Sequence, residues 1–382
     1  MTVDGGPLAR RYHSALHDEA TAAWLGLALG VAFGVCFATG VWSHLQQDPP
    51  TWFDPPARPA GLYRVTQGLH VVTGFASIPL LLAKLWVVHP RLVEWPPARS
   101  VLHAVERLAL LPLVAGAAFL LLTGVANVAR WYPWSFFFPR AHFWAAWITI
   151  GGLAVHVGAK AATTLGVVRG ARSPGRTDGA GAPRADRRAL LTGVAAAAAA
   201  LAVATAGGTV APLSPVSFLA QRRPADGPQG LPVNKSAASA GVEATARDPG
   251  YRLVVDGAVD RPLRLSVADL RRTSLRTATL PIACVEGWSA SATWRGVPVR
   301  DLLERAGADP HGAHVTVESL QEGGRYRASE LAGDQLRDAD TLLALDLDGA
   351  PLDLDHGFPV RLIGPNRPGV LQTKWVARLV VR

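Results

Sequence analysis

Cysteine and histidine are the side chains here best able to hold a metal, and their placement separates two chemistries. Cys284 ends an apolar, strand-like run and is followed by Val285, Glu286, Gly287, Trp288 and Ser289, with Trp294, Arg295 and Gly296 close behind. A thiolate at a strand end beside a glycine-bearing loop is a soft ligand for a heavy metal: nearby arginine favours its ionised form, and the loop admits a bulky cofactor. Taken alone, such a cysteine reads more simply as a small buried hydrophobe. The other cysteine, Cys36, lies inside a separate apolar run, so no disulfide between the two is expected. The second chemistry is that of histidines in hydrophobic surroundings. His142 and His156 are 14 residues apart; on a helix that is roughly 21 Å of rise, with both rings within about 40° of one face. Such spacing suits two haems stacked across a bilayer, with His70 as the partner of His142 and His103 or His89 as the partner of His156. End-of-run histidines such as His44, His89 and His103 also fit a headgroup layer, whereas His156 lies deep in its run.

Those histidines need helices in lipid to hold them. An apolar content of 49% is high for a wholly soluble chain. Five stretches approach the roughly 20 apolar residues that cross a hydrocarbon core; they are 22–42, 66–88, 107–127, 142–164 and 189–208. Buried helices of a soluble protein do not carry a run such as 108–125 without a charge. The net charge of +9 sits between the apolar segments rather than along one soluble face, which points to membrane topology and away from nucleic-acid binding. Arg10, Arg11, Arg91, Arg99, Arg107, Lys160, Arg169, Arg172, Arg176, Arg184, Arg187 and Arg188 flank one side, 12 cations against four on the other, Arg58, Arg64, Arg130 and Arg140. The N-terminus is therefore expected in the cytoplasm and the C-terminal domain, after five spans, outside it. Trp131, Tyr132, Trp134 and the phenylalanines at 136–138 suit an interfacial aromatic belt. Arg187 and Arg188 before an alanine-rich run look like an internal twin-arginine signal, either cleaved or kept as an anchor.

The expected fold class is an α-helical transmembrane bundle of about five spans plus a C-terminal mixed α/β domain. The parts are a cytoplasmic segment 1–21, a four-helix transmembrane domain 22–168, a basic loop 169–188, the fifth span 189–208, a linker and arm 209–247 and the domain 248–382. The arm is rich in Pro, Gly, Ser and Ala, and so is expected to be extended. In the domain, strands are expected at 251–255, 279–285, 314–320, 341–347, 359–363 and 375–381. Short helices are expected at 266–272, with Ser266 as N-cap, and at 299–305, and a hairpin at Asp348 and Gly349.

Four stretches around and after Cys284 are linked: Ile282-Ala-Cys-Val-Glu-Gly-Trp-Ser, Trp294-Arg-Gly-Val-Pro-Val-Arg-Asp-Leu-Leu, Gly357-Phe-Pro-Val-Arg-Leu and Lys374-Trp-Val. In this order, across residues 248–382, they resemble the sulfite-oxidase family of molybdopterin enzymes, including its sulfoxide-reducing branch. The resemblance implies a sulfite oxidase molybdopterin-binding fold in which Cys284 binds molybdenum through its sulfur. A pterin phosphate calls for cations, arginine above all. By motif position these are Arg361 and Lys374, with Asn234 and Lys235 of the arm and Arg295, His356 and Arg367 as further contacts. Arg295 and Arg367 read equally well as solvated charges. Tyr326, after Gly323 and Gly324, either reaches the substrate pocket as tyrosines do in relatives or stands on an edge strand. Glu286 and Trp288 shape the loop. The sequence stops at Arg382, soon after the last expected core strand, so the immunoglobulin-like dimerisation domain of sulfite oxidases is not expected. The helical part is similar in outline to four-helix b-type cytochromes.

Together these expectations describe a membrane oxidoreductase. Oxygen-atom transfer at a Cys-ligated molybdenum on sulfite, an S-oxide or an N-oxide would be coupled through membrane haem b to quinone or another membrane redox carrier. The alternative is a membrane-anchored binding or assembly module that keeps the fold without the chemistry; a retained Cys284 argues against it. A transporter is disfavoured by the lack of buried charge pairs or broken helices within the spans.

Overall fold

A computed structural model describes residues 14–92, 100–169 and 183–382. Most of the expected segment 1–21, with Arg10 and Arg11, lies outside the described residues, as do Arg99, Arg172, Arg176 and the side chain of His103. The chain forms two compact units, Met1–Gly40 with Leu69–Thr205, and Val41–Gly68 with Ala206–Arg382.

The helices are α1 (Glu19–Gln47), α2 (Leu62–Leu92), α3 (Val101–Val128), α4 (Phe138–Val168) and α5 (Arg184–Ala206). All five are long and apolar enough to cross a membrane. They outrun the expected spans by a turn or so at most ends, because polar residues that cannot enter hydrocarbon still continue a helix. Asp18 starts α1 by accepting from the Thr21 amide (2.6 Å) and pairs with Arg187 of α5 at 2.7 Å. Leu82, Leu108, Leu111 and Ile148 are all more than 60% exposed. A helix that is apolar on its outward face as well as its inward one belongs in lipid. Inside the unit, α1, α2 and α3 meet at Leu29, Leu81 and Ala117. Trp134 stacks on Phe136, 5.2 Å between centroids, while Trp131, Tyr132 and Phe137 stay exposed, as an interfacial belt requires. Lys84 donates to the Ala22 carbonyl at 2.6 Å, a local partner for its ammonium.

The second unit is mixed α/β. One sheet has the order β2-β1-β10-β5-β6, from Leu263–Leu265, Leu253–Gly257, Val376–Val381, Val315–Ser319 and Ala328–Leu331. The other has the order β3-β4-β7-β8, from Arg276–Ala283, Ser289–Pro298, Leu342–Leu347 and Ala350–Pro351, with β9 (Arg361–Ile363) also pairing with β7. Every expected strand is present; β2, β4, β6 and β8 were not foreseen. The longest omission is β4, whose small residues carry little strand propensity and which is held by ladders on both sides, to β3 and β7. Asp348 and Gly349 both take positive φ and close the β7–β8 hairpin. Helix α6 (Val267–Arg271) starts on a reciprocal Ser266–Asp269 capping box, and α7 (Val299–Ala306) buries Val299, Leu302, Leu303 and Ala306.

The arm is not extended. It folds into two 3-10 turns, Ala211–Val216 and Pro228–Gly230, and two short helices, Ala237–Ala240 and Glu243–Arg247. Leu231, Ala237, Val242 and Ala246 are at most 2% exposed, so burial of small apolar side chains overrides a composition that favours coil. Residues 41–68 also pack within this unit, with Ala57 and Tyr63 buried and Ala60 against the apolar cluster that contains Cys284.

Candidate active site

Strand β3 delivers Cys284 to a tight loop. The Cys284 amide donates to the Trp288 carbonyl (2.9 Å) and the Gly287 amide to the Cys284 carbonyl (3.1 Å). Trp288 donates its indole N–H to Glu286 at 3.3 Å, and Glu286 pairs at 3.4 Å with Arg222, a residue the sequence reading missed. Arg222 also donates to the Val233 carbonyl, so the arm braces the loop. Cys284 is 2% exposed, and burial, with Glu286 beside it, pushes its thiol up to about 12. Such surroundings favour the neutral thiol, and an ionised sulfur there calls for a cation beside it.

Next to this loop lies a group of buried cations. Arg361 stacks over the Trp294 ring (5.3 Å to the centroid) and donates to the His356 carbonyl at 3.1 Å. Lys374 donates to the carbonyls of Lys235 (2.9 Å) and Asp355 (2.7 Å) and lies within electrostatic reach of Arg361, Arg222 and Cys284. Neither Arg361 nor Lys374 forms an ion pair among the described residues, and burial pulls Arg361 down to about 9 and Lys374 well below the usual ammonium range. Three buried nitrogens here lack any hydrogen-bond partner: Arg361 Nε, Trp294 Nε1 and His356 Nδ1. Arg361 with no nearby carboxylate, Lys374 with only Asp355 in electrostatic reach and orphaned donors in one buried place are costly unless a polyanionic, hydrogen-bonding group fills it. A pterin phosphate has that character.

The remaining expected residues divide. Lys235 is half-buried and reaches Gln321 at 2.5 Å, on the segment leading to Tyr326; Asn234 beside it is half-buried. Arg367 is buried with its guanidinium on the Glu330 and Leu371 carbonyls, while the next residue, Pro368, bridges to Ala283 beside Cys284. Arg295 is not brought to the group: it lies on the exposed face of β4, 3.5 Å from Asp346, which Arg271 also holds. Tyr326 sits in a turn rather than on an edge strand, within electrostatic reach of Cys284, and burial raises its phenol so that it remains a donor at neutral pH. Trp294 belonged to a motif already noted, and its intervals gave no reason to expect it under a guanidinium.

His356 provides a pH test of this arrangement. Its Nε2 is 2.7 Å from the Pro228 carbonyl, and burial pulls the imidazole down to about 4. The unfolded chain takes up that proton near pH 6.5, the folded one only near 4. The stabilisation is complete above about pH 6.5 and disappears as pH falls toward 4, an effect of about 3 kcal/mol. Cofactor-free protein should lose denaturation midpoint across that window, and His356→Asn should flatten the dependence; an unchanged slope in the variant would assign it to other groups.

In the helical unit, His70 on α2 and His142 on α4 face each other with ring centroids 6.2 Å apart. His70 Nδ1 is 2.8 Å from the Cys36 carbonyl and His142 Nδ1 is 3.0 Å from Thr123 Oγ1. Each ring is thus oriented through one nitrogen, leaving Nε2 for another partner, the arrangement in which protein histidines bind metals. Two nitrogen–metal bonds of about 2 Å plus two ring radii span roughly 6 Å, so the separation of the rings would leave room for one metal ion held between them. His156 is half-buried on α4, and His89, one of its two expected partners, is exposed near the end of α2.

The family comparison bears on the second unit. Residues 240–382 match the family described as oxidoreductase molybdopterin binding domain. The chain is 31% identical over 148 residues to the protein-methionine-sulfoxide reductase catalytic subunit MsrP of Gluconobacter oxydans, covering 34% of this chain and 46% of that one. It is 37% identical over 158 residues to sulfite oxidase of Gallus gallus, covering 34% of each. A nitrate reductase of Phaseolus vulgaris shares 39% over 104 residues, covering 24% of this chain and 12% of that one. The chain thus spans less than half the length of each of these relatives. Matched sequence, mixed α/β fold and the buried cations beside Cys284 agree: residues 240–382 form a domain that matches the molybdopterin-binding fold of the sulfite-oxidase type.

Proposed function

We propose that the chain is a membrane-bound molybdopterin-dependent oxidoreductase with Cys284 as its molybdenum ligand, its catalytic domain on the extracytoplasmic side, and haem b between that site and quinone or another membrane redox carrier. The observation that carries the catalytic part is the pair of buried, ion-pair-free cations Arg361 and Lys374 beside Cys284, with orphaned nitrogens around them. When bound, the cofactor supplies oxygen-atom transfer coupled to two electrons, on a substrate such as sulfite, an S-oxide or an N-oxide. Arg361 and Lys374 hold its phosphate, aided by His356, Lys235 and Asn234. The Arg222–Glu286 pair keeps the Cys284 loop in place, and the Tyr326 hydroxyl keeps its proton at Oη, ready to donate to a substrate oxygen. His70 and His142 would hold the haem iron through Nε2, with Cys36 and Thr123 fixing their rings.

Elemental analysis of the purified full-length protein tests both parts. About one molybdenum per chain supports the catalytic assignment; none, in cells that make the cofactor, favours a binding module that has kept the fold. Iron with haem absorbance, lost in His142→Leu while molybdenum remains, supports the electron path, and haem-free protein overturns that path alone.

A further inference from the structure

Residues 41–68, which are the last turns of α1, the connection after it and the first turns of α2, pack as part of the unit that holds Cys284. Several pins fasten them there. Arg58 forks onto Asp338 at 2.7 and 3.0 Å and also reaches Asp340, which Arg276 contacts at 2.6 Å. Asn366 takes the segment at three points: its Oδ1 accepts from the Tyr63 amide (2.7 Å), its Nδ2 donates to the Pro56 carbonyl (2.6 Å), and its own amide donates to the Ala60 carbonyl (2.9 Å). Asn366 stands two residues before Pro368, the residue bridged to Ala283. Asp54 accepts from the Asp334 amide at 3.3 Å and fills the space a side chain at Gly333 would need, where φ is +46°. A loop merely connecting two helices has no need of so many directional bonds.

What the segment brings to the site is Tyr63. Its side chain is 1% exposed and lies within electrostatic reach of both Cys284 and Tyr326. Its hydroxyl is the end point of one long bond from Ser43 (3.4 Å), and the Ser43 hydroxyl is better placed to donate to Gln67 at 2.8 Å. The phenolic proton is therefore not committed to a short bond. The charges nearby are already engaged, Arg222 with Glu286 and Arg325 with Asp48 at 3.9 Å. Two phenols thus lie within electrostatic reach of the same sulfur, one from the catalytic sequence and one from a segment about 220 residues earlier.

We propose that residues 41–68 form one wall of the Cys284 site, and that Tyr63 is a positioning residue there, presenting its phenol O–H to an oxygen of the substrate. The proposal rests on Cys284 marking the reaction centre, and Tyr63 works with Tyr326 as a second neutral donor. Removing the hydroxyl alone removes one hydrogen bond and leaves the ring in its place, so the loss falls on substrate binding.

Two measurements on the full-length protein test this. In cofactor-free protein, the rate at which iodoacetamide alkylates Cys284, read by peptide mass spectrometry with Cys36 as internal control, reports whether the wall covers the sulfur. Arg58→Ala and Asp54→Ala, both at loop positions, should each speed Cys284 labelling by about tenfold or more as the wall loosens, with Cys36 unchanged. Unchanged Cys284 rates in both variants overturn the wall. In loaded protein, Tyr63→Phe should raise KM about tenfold with kcat within about threefold of wild type and molybdenum content unchanged. The assay uses dimethyl sulfoxide with a reduced viologen, or sulfite with ferricyanide, whichever the wild type turns over. An unaltered KM overturns the positioning role. The labelling arm does not depend on molybdenum, so its outcome separates failure of the wall from failure of the cofactor assignment.

Discussion

Cys284→Ser is expected to give a folded protein that carries the pterin yet turns over less than about a hundredth of the wild-type rate. Loss of a group that only orients a metal ligand costs about ten- to a hundredfold, and loss of the ligand atom itself costs more. Serine keeps the size of the side chain but offers a hard, weakly acidic oxygen in place of a soft sulfur. Its hydroxyl enters a site that is 2% exposed, so a stability cost of about 1–3 kcal/mol accompanies the change. The measurements are molybdenum content, the absorption or paramagnetic signature of the metal-thiolate centre, and turnover. A variant with both signature and turnover intact would place the ligand elsewhere and sink the assignment.

Arg361→Met, and Lys374→Met beside it, should move stability in opposite directions with and without cofactor. In protein made by cells that cannot synthesise molybdopterin, each substitution removes a buried cation, Arg361 with no carboxylate near it and Lys374 with only Asp355 within electrostatic reach. Replacing a buried ion pair with apolar side chains of similar volume is often neutral or stabilising by roughly 1–4 kcal/mol, and a lone buried cation carries the same kind of desolvation cost. Set against this are the bonds that Arg361 gives the His356 carbonyl and Lys374 gives the carbonyls of Lys235 and Asp355. The net expectation is a melting midpoint higher by several degrees. In cells that make the cofactor, the same variants should retain at least about tenfold less of it, because charge-assisted bonds to the phosphate are gone. Cofactor-free variants that melt below the wild type would show that both cations are satisfied within the protein, and the argument for an anion there would fail.

The sequence made the strands of the second unit legible where β-branched residues alternate, as in Val315–Ser319 and Val376–Val381. It concealed β4, whose residues are small and whose extended state depends on two neighbours. Arg361 and Lys374 could be singled out from the order of the motifs on which the family resemblance rests. Arg295 shows the limit of that logic, because a period of two sends alternate residues of one strand to opposite faces, and its register was unknown. Arg222, Asn366 and Tyr63 were beyond reach for another reason. Their partners are brought together only by folding, and nothing within a short window of sequence announces it. A cluster of Pro49, Pro50, Pro55, Pro56 and Pro59 between two spans was the one local sign that the connection there is ordered.

The discontinuity of the second unit carries a parity condition. Its early piece ends at Gly68, its late piece begins at Ala206, and the chain between them runs through α2, α3, α4 and α5. Both pieces must be in the same aqueous compartment, so the number of crossings between them must be even. Were α2 to α5 each to cross a bilayer, as proposed, their four crossings would satisfy this, whereas three or five would tear the unit apart. A deletion of any one helix from α3 to α5 should therefore strand the two pieces in opposite compartments, whereas removal of α3 and α4 as a pair would preserve the side on which they meet.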